Sequence, residues 1–511
     1  MIGLIVLGTV ISAGAPSAAD LRAVAALPGE PHIVGAAANG TDGLPLWTLE
    51  NASPFDTAER RLRIVVYARA DASEAAQAVV EVVRWFKSAA PAAVRERWHL
   101  SALPVADVAN PHVRRWMDFQ AADLRVEVTG PLDAASVSPA EPLSADGAVA
   151  GSVQSMTVPA RSAVDAIKQA LTSRVPGRSA LHDALAKRAS RDPIAIARAL
   201  ASRYPQTPSI SYIPAVAWVN TLRLADLIGD ARLRTKVLGE TRPWVTGEKQ
   251  LFGSQILLTA IAGTMIFAEL ANADSASPPA ALAIEGARLA SEMKETGIAA
   301  HGQGWTDDMF MTSAILARTS RFSERASDVD TAARLLIDYA ARLQRPDGIF
   351  VHATDGPFAW GRGNGFAALG LMEVLTALSD RSALRRGVLD VYRRQMSALK
   401  AAQAPDGAWR QVIDEPGAYR EETATAMLAT AMARGIRRGW LDKTYLDTVR
   451  RAWRALAAHV GDDGSLVDVC AGTGAGPTRQ YYLDRPAITG FDDRGGAMAL
   501  AAAMELHELS R

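Results

Sequence analysis

Three short turns, Pro346-Asp347-Gly348, Pro405-Asp406-Gly407 and Asp463-Gly464, recur at intervals of about 57 to 59 residues in the second half of this chain. Each is followed within a few residues by a bulky apolar side chain: Phe350, Trp409 and Leu466. A fixed period of this length leaves room for two helices and a loop, and a helix pair that cannot bury its apolar face alone must pack on the next pair. Apolar residues recur at helical spacing through nearly all of the chain after residue 160. Helices are expected over 164–173, 179–203, 213–228, 252–271, 278–295, 306–318, 328–343, 365–378, 383–401, 421–438, 443–460 and 494–510. Six pairs can stack as an open solenoid or close into a ring. No strict consensus of the tetratricopeptide or ankyrin kind is visible, so the expected fold is mainly α: a closed (α/α)6 barrel over residues 161–511, with the Asp-Gly loops at one mouth.

The chain has 511 residues, too many for one ordinary domain. Residues 20–133 differ in texture from the rest. Residues 62–67 form a β-branched run, 73–87 have a helical period, and 98–105 and 123–128 read as further strands, which together suggest a small α/β accessory domain without an assigned role. Residues 134–160 are rich in Ser, Ala, Pro and Gly and are expected to be a linker. Residues 1–19 are apolar and uncharged, with small residues at Ser17 and Ala19 and the first charge at Asp20. That pattern is expected of a bacterial signal peptide, and so of a periplasmic or extracellular protein, although no Lys or Arg precedes the apolar run. No later run is long and apolar enough to predict a membrane span. Lys plus Arg and Asp plus Glu both number 55, so nothing in the charge balance points to nucleic acid. The single cysteine, Cys470, excludes an intrachain disulfide and a cysteine-based zinc site, and reads best as a small buried apolar residue.

The residues richest in chemistry run from His352 to Phe366. Three glycines (Gly361, Gly363, Gly365) alternate with Arg362 and Asn364 directly after Trp360. Glycines there suit positive φ or close approach of a ligand, Arg362 offers a fork of donors for a carboxylate, and Asn364 is a neutral donor and acceptor. A second segment, Trp305-Thr306-Asp307-Asp308-Met309-Phe310-Met311, supplies candidate acids. The two aspartates also fit a helix first turn with Thr306 as N-cap. The dipole would lower a carboxyl pKa there and burial by Trp305, Met309 and Phe310 would raise it. Trp305, Trp360 and Trp409 lie at expected loop–helix junctions, where sugar-stacking residues would sit. Glu421 and Glu422 read as the first turn of another helix. The sequence contains no Gly-Lys-Ser/Thr, His-Glu-x-x-His or Gly-x-Ser-x-Gly, so phosphate-loop, zincin and serine-hydrolase readings have no support.

Trp305 to Met311, His352 with Trp360-Gly361-Arg362-Gly363-Asn364-Gly365, and Asp406-Gly407-Ala408-Trp409 with Thr423-Ala424 resemble glycoside hydrolase family 105, the unsaturated rhamnogalacturonyl hydrolases, which are kin of the family 88 unsaturated glucuronyl hydrolases. The resemblance covers roughly residues 200–511 and implies an (α/α)6 barrel without metal or organic cofactor. It implies a substrate oligosaccharide whose non-reducing end carries a 4,5-unsaturated uronic acid. An aspartic acid protonates C4 of the enol ether, the cation at C5 takes a water, and the hydrated sugar rearranges and releases its partner. Asp307 matches the acid; His352, Trp360 and Arg362 match substrate positions, with Asn364, Trp305 and Trp409 beside them. One departure stands out. The family's second aspartate has no counterpart in Gly247–Gly253, where Glu248 is the candidate substitute, and His301 is a candidate match for a family histidine. A monomer or weak oligomer is expected. A glycan-binding protein without catalysis and an α/α-barrel lyase or epimerase are the alternatives.

Overall fold

The computed structural model describes residues 15–70, 72–130, 135–144, 146–173, 177–272 and 274–511. The expected leader therefore lies mostly outside the described residues. Its last part is visible, and Ser17 caps the first helix, α1 (Ala18–Ala25). The chain divides into two compact units, one ending at Leu185 and the other running from Ala186 to Arg511 with the short segment Phe55–Thr57.

The first unit is built on seven strands, β1 (Ile33–Asn39), β2 (Pro45–Glu50), β3 (Leu62–Arg69), β4 (Trp98–Ala106), β5 (Leu124–Thr129), β6 (Ser136–Ala140) and β7 (Val153–Pro159), in the order β1-β2-β4-β3-β5-β7-β6. The β4-β3-β5-β7 pairs are parallel, and both edges are antiparallel. Helices α2 (Ser73–Ser88), α3 (Ala92–Arg97), α4 (Pro111–Phe119) and α5 (Ala163–Ser173) complete it. Alternate residues of the central strands (Ile64, Val66, Leu100, Val126) share an apolar cluster with Val79, Val83 and Phe86 of α2, as a period of two against a helical stripe requires. The expected linker over 134–160 is corrected: it supplies β6 and β7, the last strands of this sheet. The strand signal in β7 is carried by only Val153, Met156 and Val158, and the Ser, Gln and Pro around them conceal it.

The second unit is mainly helical. After α6 (Ala180–Ala189), within which the units divide, come α7 (Pro193–Arg203), α8 (Tyr212–Ile228), α9 (Ala231–Val245), α10 (Leu258–Gly263), α11 (Met265–Ala271), α12 (Pro278–Ala290), α13 (Thr306–Thr319), α14 (Asp328–Leu343), α15 (Gly361–Ala377), α16 (Arg385–Ala401), α17 (Glu422–Arg437), α18 (Leu446–His459), β8 (Leu466–Cys470), α19 (Arg479–Leu483), β9 (Ala487–Gly490) and α20 (Asp493–Leu509). Helix α8 packs on α10 and α11, α10 on α13, α13 on α15, α15 on α17, α17 on α20, and α20 back on α8. The helices that alternate with these (α7, α9, α12, α14, α16 and α18) each pack on a neighbour in that circuit. Helix α9 was not expected; Gly239 and Pro243 inside it, with its many charges, disguise the period. Among the described residues no helix is long and apolar enough to cross a membrane.

The recurring turns have one geometry. Gly348, Gly407 and Gly464 all take positive φ (97°, 98° and 83°), which favours glycine strongly. Each turn repeats the same pair of backbone bonds, Arg345 N–Ile349 O with Gly348 N–Arg345 O being one example and Gly461 N–Ser465 O with Gly464 N–Gly461 O another. A fourth copy, Lys294 N–Ile298 O with Gly297 N–Lys294 O, escapes the sequence pattern because Thr296 stands where the others have aspartate. All four lead from one of the alternating helices towards the N-terminus of a helix in the circuit, so they gather at one end of it.

Candidate active site

At that end the N-termini of α13, α15, α17 and α20 bring the chemistry together. Asp307, in the first turn of α13, keeps 18% of its side chain exposed, and its Oδ2 lies 3.1 Å from His352 Nε2. His352 is fully buried, with its ring 5.1 Å from that of Trp305 and 4.7 Å from that of Trp360. Its Nδ1 lies 2.9 Å from the Tyr482 hydroxyl, which itself receives Gly476 N–H at 3.3 Å and has only a longer contact, 3.4 Å, to Gly356 O. The shorter contact assigns the phenolic proton to Nδ1. That leaves the hydrogen on Nε2, where it is donated to the Asp307 carboxylate. Tyr482 is thus a member of the network that sequence reasoning missed; it lies 130 residues from His352, and nothing local marks it.

Asp308, beside Asp307, faces the other way. It is buried, and its Oδ2 accepts from Gly304 N (2.7 Å) and Tyr339 OH (2.8 Å). Burial is the largest influence on its carboxyl, and Asp307's charge adds to it. Together they outweigh the bonds from Tyr339 and Gly304 and push the pKa up to about 6. The folded value lies above the unfolded one, so the folded state holds this proton more tightly. The resulting stabilisation is complete below about pH 4 and is lost as pH rises through about 6, an effect of about 3 kcal/mol. Relative to Asp308→Asn, the wild type should therefore lose about 3 kcal/mol between pH 4 and pH 7 in urea unfolding. Parallel pH profiles for the two proteins would show that Asp308 titrates like an ordinary carboxyl.

Arg362 is buried, donates from Nη1 to Cys470 O (2.8 Å), and sits 4.9 Å over the Trp360 ring. Burial works against its charge, but Cys470, Tyr212, Glu421 and Asp307 outweigh it and hold the guanidinium ionised. Its Nε has no hydrogen-bond partner among the described residues. The three glycines around it are helical and none has positive φ, contrary to expectation. They serve close approach instead: a side chain at Gly361 would run into Arg410 O, and one at Gly365 into the Met427 side chain, where α15 meets α17.

Several expected binding residues turn out to be architectural. Asn364 is fully buried; its Oδ1 accepts from Phe350 N, and its Nδ2 donates to Phe350 O and Trp360 O. It ties the turn to the helix and has nothing left for a ligand. Trp409 is a core residue whose Nε1 donates to Leu399 O. Trp360 is 2% exposed and acts as a wall behind His352 and Arg362, whereas Trp305 is half-buried and can meet a sugar face. Glu248 lies in an exposed ion pair with Arg242, outside this network, so it does not replace a missing carboxylate here. His301 lies 3.5 Å from Glu292 on a turn and makes no bond to Asp307. Thr306 is the first helical residue of α13, not its N-cap; that place belongs to Trp305.

The structure adds a carboxyl that the sequence reading had set aside as a helix first turn. Glu422 is buried, and neither of its carboxyl oxygens has a hydrogen-bond partner among the described residues. Burial, then the charges of Glu421 and Asp492, hold it well above the usual carboxylate range against the pull of Arg362. Its neighbour Glu421 is fully engaged as the cap of α17, accepting from Thr423 N, Ala424 N and Cys470 N. Among the described residues no cluster of His, Cys, Asp and Glu is placed to hold a metal ion.

Residues 201–510, which contain this whole arrangement, match the sequence profile of Glycosyl Hydrolase Family 88. The chain belongs to Glycosyl Hydrolase Family 88. It is 28% identical over 192 residues to an unsaturated rhamnogalacturonyl hydrolase of Bacillus subtilis, an alignment covering 36% of this chain and 54% of that protein. It is 25% identical over 175 residues to an unsaturated 3S-rhamnoglycuronyl hydrolase of Alteromonas, covering 32% of this chain and 42% of that protein. The chain thus spans about half the length of these relatives. A solved structure from Salmonella enterica, a possible member of family GH105, superposes with a TM-score of 0.56 at 19% identity over 62% of this chain and 94% of its own, a likeness in fold. The Trp-x-Asp-Asp and Trp-Gly-Arg-Gly-Asn-Gly strings led us to expect family 105, the kin of family 88, and the match agrees with that expectation.

Proposed function

We propose that this family 88 protein is a hydrolase that removes a 4,5-unsaturated uronic acid from the non-reducing end of lyase-generated, rhamnogalacturonan-like oligosaccharides. The helical circuit is, in this reading, an (α/α)6 barrel whose mouth at the turn end admits the sugar. The observation that carries the proposal is the partly exposed Asp307 carboxyl, hydrogen-bonded to a sealed histidine that is itself oriented by Tyr482. Asp307, protonated, gives its proton to C4 as the C4=C5 π pair forms the new C–H bond. The positive charge left at C5 is stabilised by the ring oxygen. Water adds at C5 and its proton returns to Asp307, with His352 fixing the carboxylate between the two steps. The resulting hemiketal opens and the partner sugar leaves. A positioned carboxylic acid within reach of C4 is what this step requires of Asp307. Arg362 supplies the cation that draws the substrate carboxylate to this mouth, and Trp305 the apolar face. We also propose that residues 1–19 direct export to the periplasm or beyond.

The test is the ultraviolet absorbance of the conjugated double bond. Purified protein mixed with lyase products of rhamnogalacturonan, ulvan and glucuronan-type polymers should remove that absorbance on at least one of them, with the rhamnogalacturonan product the expected one. Binding without loss of absorbance would favour the glycan-binding reading, for which the lack of an aspartate over Gly247–Gly253 is the specific support.

A further inference from the structure

The opposite end of the helical circuit holds a cavity of about 510 Å³, a size within the range of small-molecule sites. It is built from the C-terminal halves of α8, α13, α15, α17 and α20, together with α11. The candidate active site uses the N-termini of four of those helices, so the two sites lie at opposite ends of the same bundle. Between them, Tyr212, Phe310 and Phe366 pack ring to ring, with centroids 5.5 to 6.5 Å apart. Phe310 is shared, for it also lines the cavity.

The chemistry of this cavity is uneven from floor to rim. Met265, Phe310, Leu369 and Met372 give it an apolar floor. Arg223, Arg318, Arg321, Arg434, Arg437 and Arg438 surround that floor. Cations are at home where helices end in free carbonyls, so some of these arginines have a purely architectural reason to be there. Their pairing is nevertheless incomplete. Arg318 is matched by Glu269 and Glu373, Arg321 by Glu269, Arg434 by Glu505 and Glu373, and Arg223 and Arg437 by Glu505 and Glu508. Six arginines against four glutamates leave two positive charges in excess. Arg438 is exposed and has no ion pair among the described residues, and the buried Nε of Arg434 has no partner.

We infer that this cavity is a second ligand site, for a carboxylated sugar, distinct from the mouth that holds Asp307. An apolar floor matches the C–H face of a pyranose, and a rim of guanidinium forks matches its carboxylate. A ligand enters here past the exposed Arg438 and Thr376. The site does not depend on the chemistry assigned to Asp307.

Calorimetric titration of the full chain with galacturonate, and separately with sulfate, tests this. The rim variant Arg438→Glu reverses the unpaired charge, and Thr376→Trp at an exposed lining position fills the opening; neither side chain belongs to the mouth that holds Asp307. In both, the number of galacturonates bound should fall by one relative to wild type, or the affinity of one site should drop at least about tenfold. Turnover followed by ultraviolet absorbance should not change. Galacturonate binding identical in wild type and both variants would overturn the inference, as would no saturable binding in the wild type. Sulfate binding as tightly as galacturonate would also overturn it, because the apolar floor would then contribute nothing. Loss of turnover activity on every substrate, by contrast, bears only on the Asp307 reading.

Discussion

Asp307→Asn should lower the rate of double-bond hydration by about a hundredfold to ten-thousandfold, the range that a positioned general acid supplies. The substitution is nearly isosteric. Asparagine Oδ1 can still accept from His352 Nε2, so the bond that sets the local geometry persists while the transferable proton is gone. At 18% exposure, with His352 as the partner of its carboxyl, Asp307 holds up little of the fold. Substrate binding, measured calorimetrically on the same oligosaccharide, should therefore stay within about threefold of wild type, because a group that acts only in the transition state leaves ground-state affinity alone. A fall in affinity that matched the fall in rate would make Asp307 a binding residue. Unchanged turnover would remove it from the mechanism and shift attention to Glu422, the buried carboxyl at the start of α17.

Which parts of this site could be read from sequence follows from the kind of signal each part carries. Helix α14 was legible almost residue for residue, because its apolar stripe is strong and a Pro-Asp-Gly turn follows it. Asp307 and His352 are 45 residues apart, and only the motif pattern joined them; periodicity places both on the right elements but does not say that they touch. Asn364 misled because an amide between glycines looks like a ligand loop. The same residue types serve a helix packed so closely on its neighbours that only glycine fits, with an amide pinning the preceding turn. Glu422 was passed over because an acidic first turn is the ordinary explanation for such a residue. Its difference lies in burial, and burial depends on β8 and α20, which lie well over forty residues further along the chain. Tyr482 and the arginine-lined cavity are likewise products of ring closure, which brings the last helix back against the first.

Glu505→Gln should destabilise the helical unit strongly, at a cost of about 3 to 5 kcal/mol. Glu505 is fully buried near the end of α20 and accepts from Arg223 (2.8 Å), Arg434 and Arg437 (3.0 Å). Burial alone would raise its carboxyl pKa, but the guanidinium groups of Arg434 and Arg223 outweigh it and hold the group well below the usual carboxylate range. With the folded value depressed, the stabilisation is present above the unfolded pKa and is lost as pH falls through the folded one. Gln removes the charge at every pH. Arg434, mostly buried, is then left with Glu373 as its remaining acidic partner, at 3.9 Å, while Arg223 and Arg437 retain the half-exposed Glu508. Those remaining contacts place the cost towards the lower end of the range. Glu508→Gln should cost under about 1 kcal/mol, because its pairs are reached by solvent. Urea midpoints for the two variants separate the possibilities: equal losses would mean that burial gives Glu505 no special weight. The same substitution raises the positive excess at the far cavity from two to three. Galacturonate should therefore bind Glu505→Gln at least as tightly as wild type at that end, even as the protein becomes easier to unfold.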